Sequence, residues 1–565
     1  MAETELTPGR PERLFLAAAL AAGALFRVVP YVERPSLSLD EARLTLAIAS
    51  RSFVGLLRPL DYDQAAPPLF LWLEKVALLA GGPSEYALRA LPLLAGLLVP
   101  VLTCALARRL AGGRVAVIAC ALAALSPSLA NFSLQVKPYQ TDVLACVGLL
   151  TLYVAESERG PGPGPGLLTL LLGAIAVWLS APAPFVLATI AAAGWLGSRR
   201  RLTPALAMAL GAWGVSFAVA YFTVYRTAAA NPYLRWFWRD RFLDPLVPGL
   251  FWRAYDSLRD LIFTSFVAGV LEVGSPRLGD LAALAVTLVI GVIAVVGMRR
   301  LVRPGPLALV LLCGPGLLAT GASVVGQYPV GTRLILFTVP SLMILVAAGI
   351  VEIRALPRRG PKVAMAVLLG AILVAGALRN VVNVGDPTRD RDTRSAVAYF
   401  ERRARPGEPV YVMPGALPAW TFYTTDWRRP DTARLARMAR EGSSGGPAFE
   451  NAPSRGRAVR DDGADLAFPF RGGTELLGIP DGAPVWEGNP WKAPPDPGWA
   501  ESEARRIERA ARPTVWVIAT TAFKTDRILD GAIRDRGGVL IDSLPRPWVL
   551  ALRYRFPSED SGSTR

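Results

Sequence analysis

The stretch RPSLSLDEARLTL (residues 34–46) sets two carboxylates, Asp40 and Glu41, side by side just after the first long apolar run. Working outward from it, apolar residues recur in blocks of about twenty, the length that crosses a bilayer. Hydrophobic residues make up 52% of the 565-residue chain, far more than one soluble core would use. The chain therefore reads as a polytopic membrane protein, and the two acids lie at the membrane edge.

Formal charge is +16. The arginines gather in short clusters between apolar blocks and do not interleave with aromatics, so they describe membrane topology and exclude nucleic acid as a partner. Cys104, Cys120, Cys146 and Cys313 all fall inside apolar blocks without CxxC spacing, as packing residues do. The sequence contains no histidine, which removes the usual general base, the usual zinc ligand and any Ser-His-Asp triad. Acid–base chemistry falls to carboxylates, Lys or Tyr.

Spans are expected near 14–32, 88–107, 114–131, 139–155, 167–180, 182–197, 204–225, 280–298, 306–324, 334–351 and 363–379, about eleven in all. The two short segments flanking Pro182 also fit one re-entrant hairpin. The first span follows GRPER (9–13) without a small-residue cleavage site and reads as a retained helix. Arg10 and Arg13, Arg108 and Arg109, Arg199 to Arg201, Arg299, Arg300 and Arg303, and Arg354, Arg358, Arg359 and Lys362 fall in alternate connections. The positive-inside rule assigns that side to the cytoplasm. The loops 33–87 and 226–279, the turns around NFSLQVKPYQ and GQYPVGTR, and the tail beyond about 380 then lie outside, on a cell inner or plasma membrane.

The tail is charged and rich in Pro and Gly. TRSAVAYFERRARPGEPVYVM reads as helix, turn and strand. PTVWVIATT, a helix from about 524 to 536, GGVLIDSL and PWVLALRYRF read as strand, helix, strand, strand. The expected architecture is a mostly α membrane bundle over 1–385, carrying the external loops 33–87 and 226–279, and a soluble extracytoplasmic α/β domain over 386–565. Residues from about 438 to 500 read as long loops.

Adjacent positions on a helix diverge by about 100°, so Asp40 and Glu41 cannot share a face. Either one acts while the other supports it, or the pair opens a helix as an N-cap acid and a first-turn Glu. Downstream, Pro67 and Pro68 open an amphipathic segment containing Phe70, Leu71, Trp72 and Leu73, suited to the membrane interface. Arg89 stands at the mouth of the second span as an anchor or as a partner for Glu85.

The order LDEA (39–42), QAAPPLFLW (64–72), SEYALRALP (84–92) resembles the GT-C class of integral-membrane glycosyltransferases, in the branch of the protein mannosyltransferases and the lipid A aminoarabinose transferases. The resemblance covers roughly residues 14–350. Members often carry His before the two prolines; Ala66 stands there, so no role of that histidine carries over. FSLQVKPYQTD (132–142) resembles the family's external turn between the third and fourth spans, with Gln135 where an acid is expected. Lys137, one of five lysines among 61 basic residues, sits beside Pro138 and Tyr139 and suits a phosphate as a compact charge. Asp142, one turn into the span, must face the bundle interior or pair, with Lys137 as one partner. Arg333 in QYPVGTRLILFTVPS (327–341) resembles the late-helix arginine that contacts the donor phosphate.

The resemblance implies transfer of a hexose or pentose from a polyprenyl phosphate to an acceptor hydroxyl on an acceptor protein, a glycolipid or a cell-envelope glycan. Asp40 is the expected base, supported by Glu41; Lys137, Arg333 and Tyr139 are the expected phosphate site; Gln64, Arg89, Gln135 and Asp142 are supporting residues. A single base without an opposed nucleophilic carboxylate points to inversion, by analogy with glycosidases. No cofactor is expected: Asp40 and Glu41 are hard oxygen ligands, but two acids make a thin cation site. The rivals are a lipid-linked sugar transporter or flippase, which internal repeats would support, and a non-catalytic glycan-binding protein. No repeat is visible between the halves, and the polar residues cluster at one face.

Overall fold

The computed structural model describes residues 9–159, 162, 164–266, 276–331, 333–385, 392–405, 408–413, 416–427, 430, 468–469, 475–477, 497–511, 513–520, 525–545 and 549–557. Most of the expected 438–500 loops, and residues 267–275 of the 226–279 loop, lie outside the described residues. The chain forms two compact units. The larger comprises Met1–Glu33, Phe53–Pro59 and Ala65–Gly385; the smaller comprises Arg34–Ser52, Leu60–Gln64 and Asp386–Arg565.

The larger unit is a helix bundle: α1 (Arg10–Glu33), then, after the loop, α3 (Pro68–Gly81), α4 (Glu85–Ala111), α5 (Gly113–Leu125), α6 (Pro127–Phe132), α7 (Tyr139–Arg159), α8 (Leu167–Leu179), α9 (Ala183–Gly197), α10 (Pro204–Ala220), α11 (Arg226–Ala230), α12 (Pro232–Phe237), α13 (Leu250–Phe266), α14 (Pro276–Val302), α15 (Leu307–Val324), α16 (Val339–Ala355) and α17 (Arg359–Gly385). Ten of the eleven expected spans each coincide in the main with one of these helices, whereas the expected span 114–131 is divided at Ser126 between α5 and α6. Seven are long and apolar enough to cross a bilayer, and α5, α8 and α9 are shorter apolar helices. The chain breaks at Ser180–Pro182, so α8 and α9 are separate, and a π-helical segment, Tyr221–Tyr225, follows α10.

Close approach of backbones organises the bundle, as expected where lipid offers no hydrophobic drive between helices. A Cβ on Gly297 of α14 would sit 1.9 Å from the Leu345 carbonyl of α16, and one on Gly349 of α16 would sit 1.9 Å from the Ile293 carbonyl. This crossing therefore requires glycine on both sides. Arg27, 1% exposed within α1, turns the end of its guanidinium onto carbonyls. Its guanidinium donates to Gly23 O and Ala124 O at 2.7 Å and to Ala123 O at 3.3 Å, which ties α1 to the end of α5.

The expected amphipathic segment is α3, with Pro68 in its first turn. Its buried stripe runs Phe70, Leu71, Glu74, Leu78, while Leu73, Val76 and Leu79 face outward. Glu74 is fully buried, and neither of its carboxyl oxygens has a hydrogen-bond partner among the described residues. Burial pushes its carboxyl well above the ordinary carboxylate value.

The smaller unit holds α2 (Leu39–Ser50), α18 (Thr393–Arg403), α19 (Leu417–Thr424), two further helices, Pro497–Ala510 and Thr525–Asp535, and a six-stranded sheet. Strands β1 (Val410–Val412), β2 (Phe468–Pro469), β3 (Glu475–Leu477), β4 (Thr514–Thr520), β5 (Val539–Pro545) and β6 (Val549–Arg555) lie in the order β2-β3-β1-β4-β6-β5. β1 is parallel to both β3 and β4; the other pairs are antiparallel. Glu408, before β1, is gripped by Arg553 of β6, whose Nε and Nη2 donate at 2.7 and 3.1 Å, and by Trp516 Nε1 at 3.1 Å.

Within the loop 33–87, the segments Arg34–Ser52 and Leu60–Gln64 belong to the smaller unit. Leu37 N–H donates to the Tyr423 hydroxyl (2.8 Å), Arg394 N–H to Ser36 Oγ (3.2 Å), and Arg394 Nη2 to Arg34 O (2.7 Å). α2 packs against α19, burying Ala42, Leu44, Leu46 and Ile48. Long-range apolar packing overrides chain proximity to the first span.

Candidate functional site

In the larger unit, the turn after α6 carries Lys137, which is 7% exposed, and α7 opens at Tyr139. The Pro138 carbonyl accepts from Asp142 N–H and from Thr141 Oγ, both at 2.7 Å, which fixes the first turn of the helix. Across the bundle, Arg333 follows a short loop, and its guanidinium carbon lies 5.7 Å from the Tyr139 ring centre, 5.8 Å from Phe237 and 4.8 Å from Trp238. Two segments nominated separately from the sequence thus meet through Tyr139. Gly331 makes the box possible: a Cβ there would come within 2.6 Å of the Trp238 ring. Val330 N–H donates to Arg241 O at 2.8 Å, and Arg241 pairs with Asp260 at 3.0 Å, which holds the turn carrying Trp238 against the Arg333 loop. A guanidinium binds ring faces through its plane and oxyanions through its in-plane N–H groups.

Gln135 is half-buried in the same turn. Arg89 and Glu85 are both buried, i, i+4 on α4, the spacing at which side chains of one face meet. Asp142 is 8% exposed. Its carboxyl faces Ser180 and the Ala181 backbone at the break between α8 and α9, and Tyr225 and Tyr328 lie within electrostatic reach.

In the smaller unit, the helix begins two residues earlier than a cap at Asp40 implies. Ser38 is the N-cap of α2: its Oγ accepts from Glu41 N–H at 3.1 Å, while Glu41 Oε2 accepts from Ser38 N–H at 2.9 Å. This reciprocal capping box satisfies two orphan amides. It places Glu41, 1% exposed, in helix initiation and removes the reading of Asp40 as the cap. Asp40 is half-buried in the first turn. Gln64 is half-buried and donates to Tyr62 O at 3.1 Å, after a turn in which Tyr62 and Asp63 both adopt positive φ. Arg51 pairs with Asp61, and Arg43 lies 6.0 Å from the Tyr62 ring centre. Among the described residues, no group of three or more His, Cys, Asp or Glu side chains is placed to hold a metal ion.

The sequence reading passed over the walls of the Arg333 box, Phe237 and Trp238, and the serine facing Asp142; no local pattern marks any of them. It also passed over Ser38, although the Ser-x-x-Glu signature stands in SLDE (38–41).

The chain is similar to several solved structures. It is similar to apo ArnT from Cupriavidus metallidurans at 15% identity and a TM-score of 0.47, over 96% of this chain and 97% of that one. It is similar to the same protein bound to undecaprenyl phosphate at 14% identity and a TM-score of 0.46, with the same coverage. It is also similar to the archaeal oligosaccharyltransferase AglB from Archaeoglobus fulgidus, in complex with an inhibitory peptide and a dolichol-phosphate, at 12% identity and a TM-score of 0.45, over 98% of this chain and 75% of that one. No family model matches the chain, and no curated protein matches it.

Proposed function

We propose that this chain is a membrane glycosyltransferase that moves a sugar from a polyprenyl phosphate to an acceptor hydroxyl on the extracytoplasmic face. The observation that carries the proposal is the approach of Arg333 to Tyr139, two residues beyond Lys137. It brings a planar guanidinium to the first residue of the helix that follows a compact buried ammonium, and these are the two kinds of cation that bind phosphate as fork and as point charge. Outward orientation is supported by the arginines at the opposite helix ends, among them Arg108 and Arg109 of α4 and Arg299 and Arg300 of α14.

In this reading Asp40 takes the acceptor proton as the hydroxyl oxygen bonds to the anomeric carbon. The anomeric C–O bond breaks on the opposite face, its electron pair leaves with the phosphate, and the configuration inverts. Lys137 and Arg333 stabilise the charge that grows on the phosphate away from bulk water. Glu41 contributes by fixing the first turn on which Asp40 stands. The acceptor is a protein, glycolipid or envelope-glycan hydroxyl. Incubating purified protein with labelled polyprenyl-phosphate sugars and an envelope extract should yield a labelled acceptor and free polyprenyl phosphate. Hydrolysis without acceptor labelling, or no turnover with any donor, refutes transfer.

A further inference from the structure

The site just described accounts for the phosphate but leaves a pair of buried polar atoms beneath it. Oδ1 of Asp142 and Oγ of Ser180 have no hydrogen-bond partner among the described residues, although Asp142 is 8% and Ser180 0% exposed. The Ser180 hydroxyl and the Ala181 backbone both approach the carboxyl, yet Oδ1 and the Ser180 hydroxyl stay outside hydrogen-bond geometry. The nearby phenols do not make up the deficit: the Tyr225 hydroxyl donates to Val177 O and the Tyr328 hydroxyl to Leu334 O, each at 2.7 Å. An unpaired carboxylate oxygen is costly in such a setting, and in a membrane bundle an ionisable group of this kind marks a ligand path by default.

Position narrows the ligand. Asp142 is three residues after Tyr139 on α7, hence on the same face and about 4.5 Å further along the axis. The Tyr139 ring meets Arg333. A group covalently next to a phosphate at the Lys137–Arg333 level would therefore reach the Asp142 level. The break at Ser180–Pro182 frees backbone there, which membrane proteins tolerate where it lines a site. An acceptor oxygen beside a hydroxyl that both donates and accepts matches adjacent hydroxyl groups.

We infer that Asp142 and Ser180 form a subsite for hydroxyl groups of the donor's sugar, with the Asp142 carboxylate accepting from one hydroxyl and Ser180 engaging its neighbour. This rests on the phosphate reading proposed above and assigns the sugar-recognising element of the same site.

The test separates sugar from phosphate. Binding of undecaprenyl phosphate, and of the same lipid carrying each of a panel of hexoses and pentoses, is measured on purified wild type, Asp142→Ala, Asp142→Asn and Ser180→Ala, with melting temperatures alongside. Wild type should bind at least one sugar-bearing lipid more tightly than the bare lipid. Asp142→Ala should cut that preference about tenfold, the factor that about 1.4 kcal/mol represents, and Ser180→Ala should cut it less, while bare-lipid affinity stays within about twofold. Asp142→Asn serves if the alanine variant does not fold, because it keeps the volume and exchanges one acceptor oxygen for a donor amide. Equal losses for bare and sugar-bearing lipid, an unchanged preference in all variants, or no preference in wild type overturns the subsite. Failure of wild type to bind the bare lipid instead overturns the phosphate reading itself.

Discussion

Replacing Arg333 by alanine tests the core of the proposed site. The substitution removes a cation held against Tyr139, Phe237 and Trp238. A hydrogen bond to a charged group is worth about 1.5 to 3 kcal/mol, so loss of one phosphate contact should weaken undecaprenyl phosphate binding by roughly 13- to 160-fold. Loss of the ring stack adds about 0.5 to 2 kcal/mol to the cost in fold stability, a quantity that thermal melting reads separately. Arg333→Lys keeps the charge but gives up the planar fork, and should fall between wild type and alanine. Gly331→Ala leaves every charge in place yet drives a methyl group to within 2.6 Å of Trp238; it should weaken the lipid by displacing the wall of the box. Lys137→Ala should act on the same phosphate, so its effect combined with Arg333→Ala should be less than additive. The decisive assay is lipid binding to purified protein across these variants at fixed salt. If Arg333→Ala and Lys137→Ala lower the melting temperature and leave lipid affinity untouched, both are anchors and the phosphate lies elsewhere.

Asp40→Asn should slow transfer by about 10²- to 10⁴-fold with lipid binding intact, whereas Glu41→Gln should act mainly on stability, by the roughly 1 kcal/mol of a weakened cap; a fully active Asp40→Asn protein removes Asp40 as the base. Glu74→Met should stabilise the protein at neutral pH by about 1 to 3 kcal/mol, because it replaces an unpaired buried carboxyl. The raised carboxyl also means that wild type loses stability as pH climbs above about 4.5, and that this loss should vanish in the variant. Glu408 behaves oppositely: burial raises its carboxyl, but bonds from Arg553, Thr514, the Arg405 backbone and Trp516 more than offset this and hold it below 4.5. Its stabilisation is present above the unfolded value and is lost as pH falls through the lower folded one, so Glu408→Gln should flatten the acid limb of melting for the sheet unit. With the four native cysteines replaced, an impermeant maleimide on intact cells should label Glu401→Cys and spare Leu202→Cys, both exposed positions; the reverse pattern inverts the topology.

The bundle was legible because a helix crossing lipid must be apolar over its length, and each of the eleven apolar runs announces itself locally. Lys137 and Arg333 stand out one at a time, as charges at helix mouths within a familiar order of motifs, and Tyr139 as the aromatic beside the first. The approach of Arg333 to Tyr139 was not legible, since nothing in either segment encodes a partner nearly two hundred residues away. Phe237 and Trp238 read as one more aromatic loop for the same reason. The cap of α2 is a different case: Ser-x-x-Glu specifies Ser38 by itself, and the two acids lie inside the helix it opens. The company that α2 keeps was beyond any local pattern, because its buried Ala42, Leu44, Leu46 and Ile48 are compatible with several apolar partners.

That company has a consequence for synthesis. Ser36 and its partner Arg394 are 358 residues apart, and Leu37 is 386 residues from Tyr423. At roughly 5 to 20 residues per second, an emerging chain would leave the segment before α2 waiting for roughly 20 to 70 s until its partner exists. During that interval the whole membrane bundle is made and inserted, while an amphipathic helix with a strong capping box stands ready with its apolar face uncovered. The smaller unit is thus closed by the last part of the chain to arrive, and a ribosome that stops early strands the candidate base on an unfinished support.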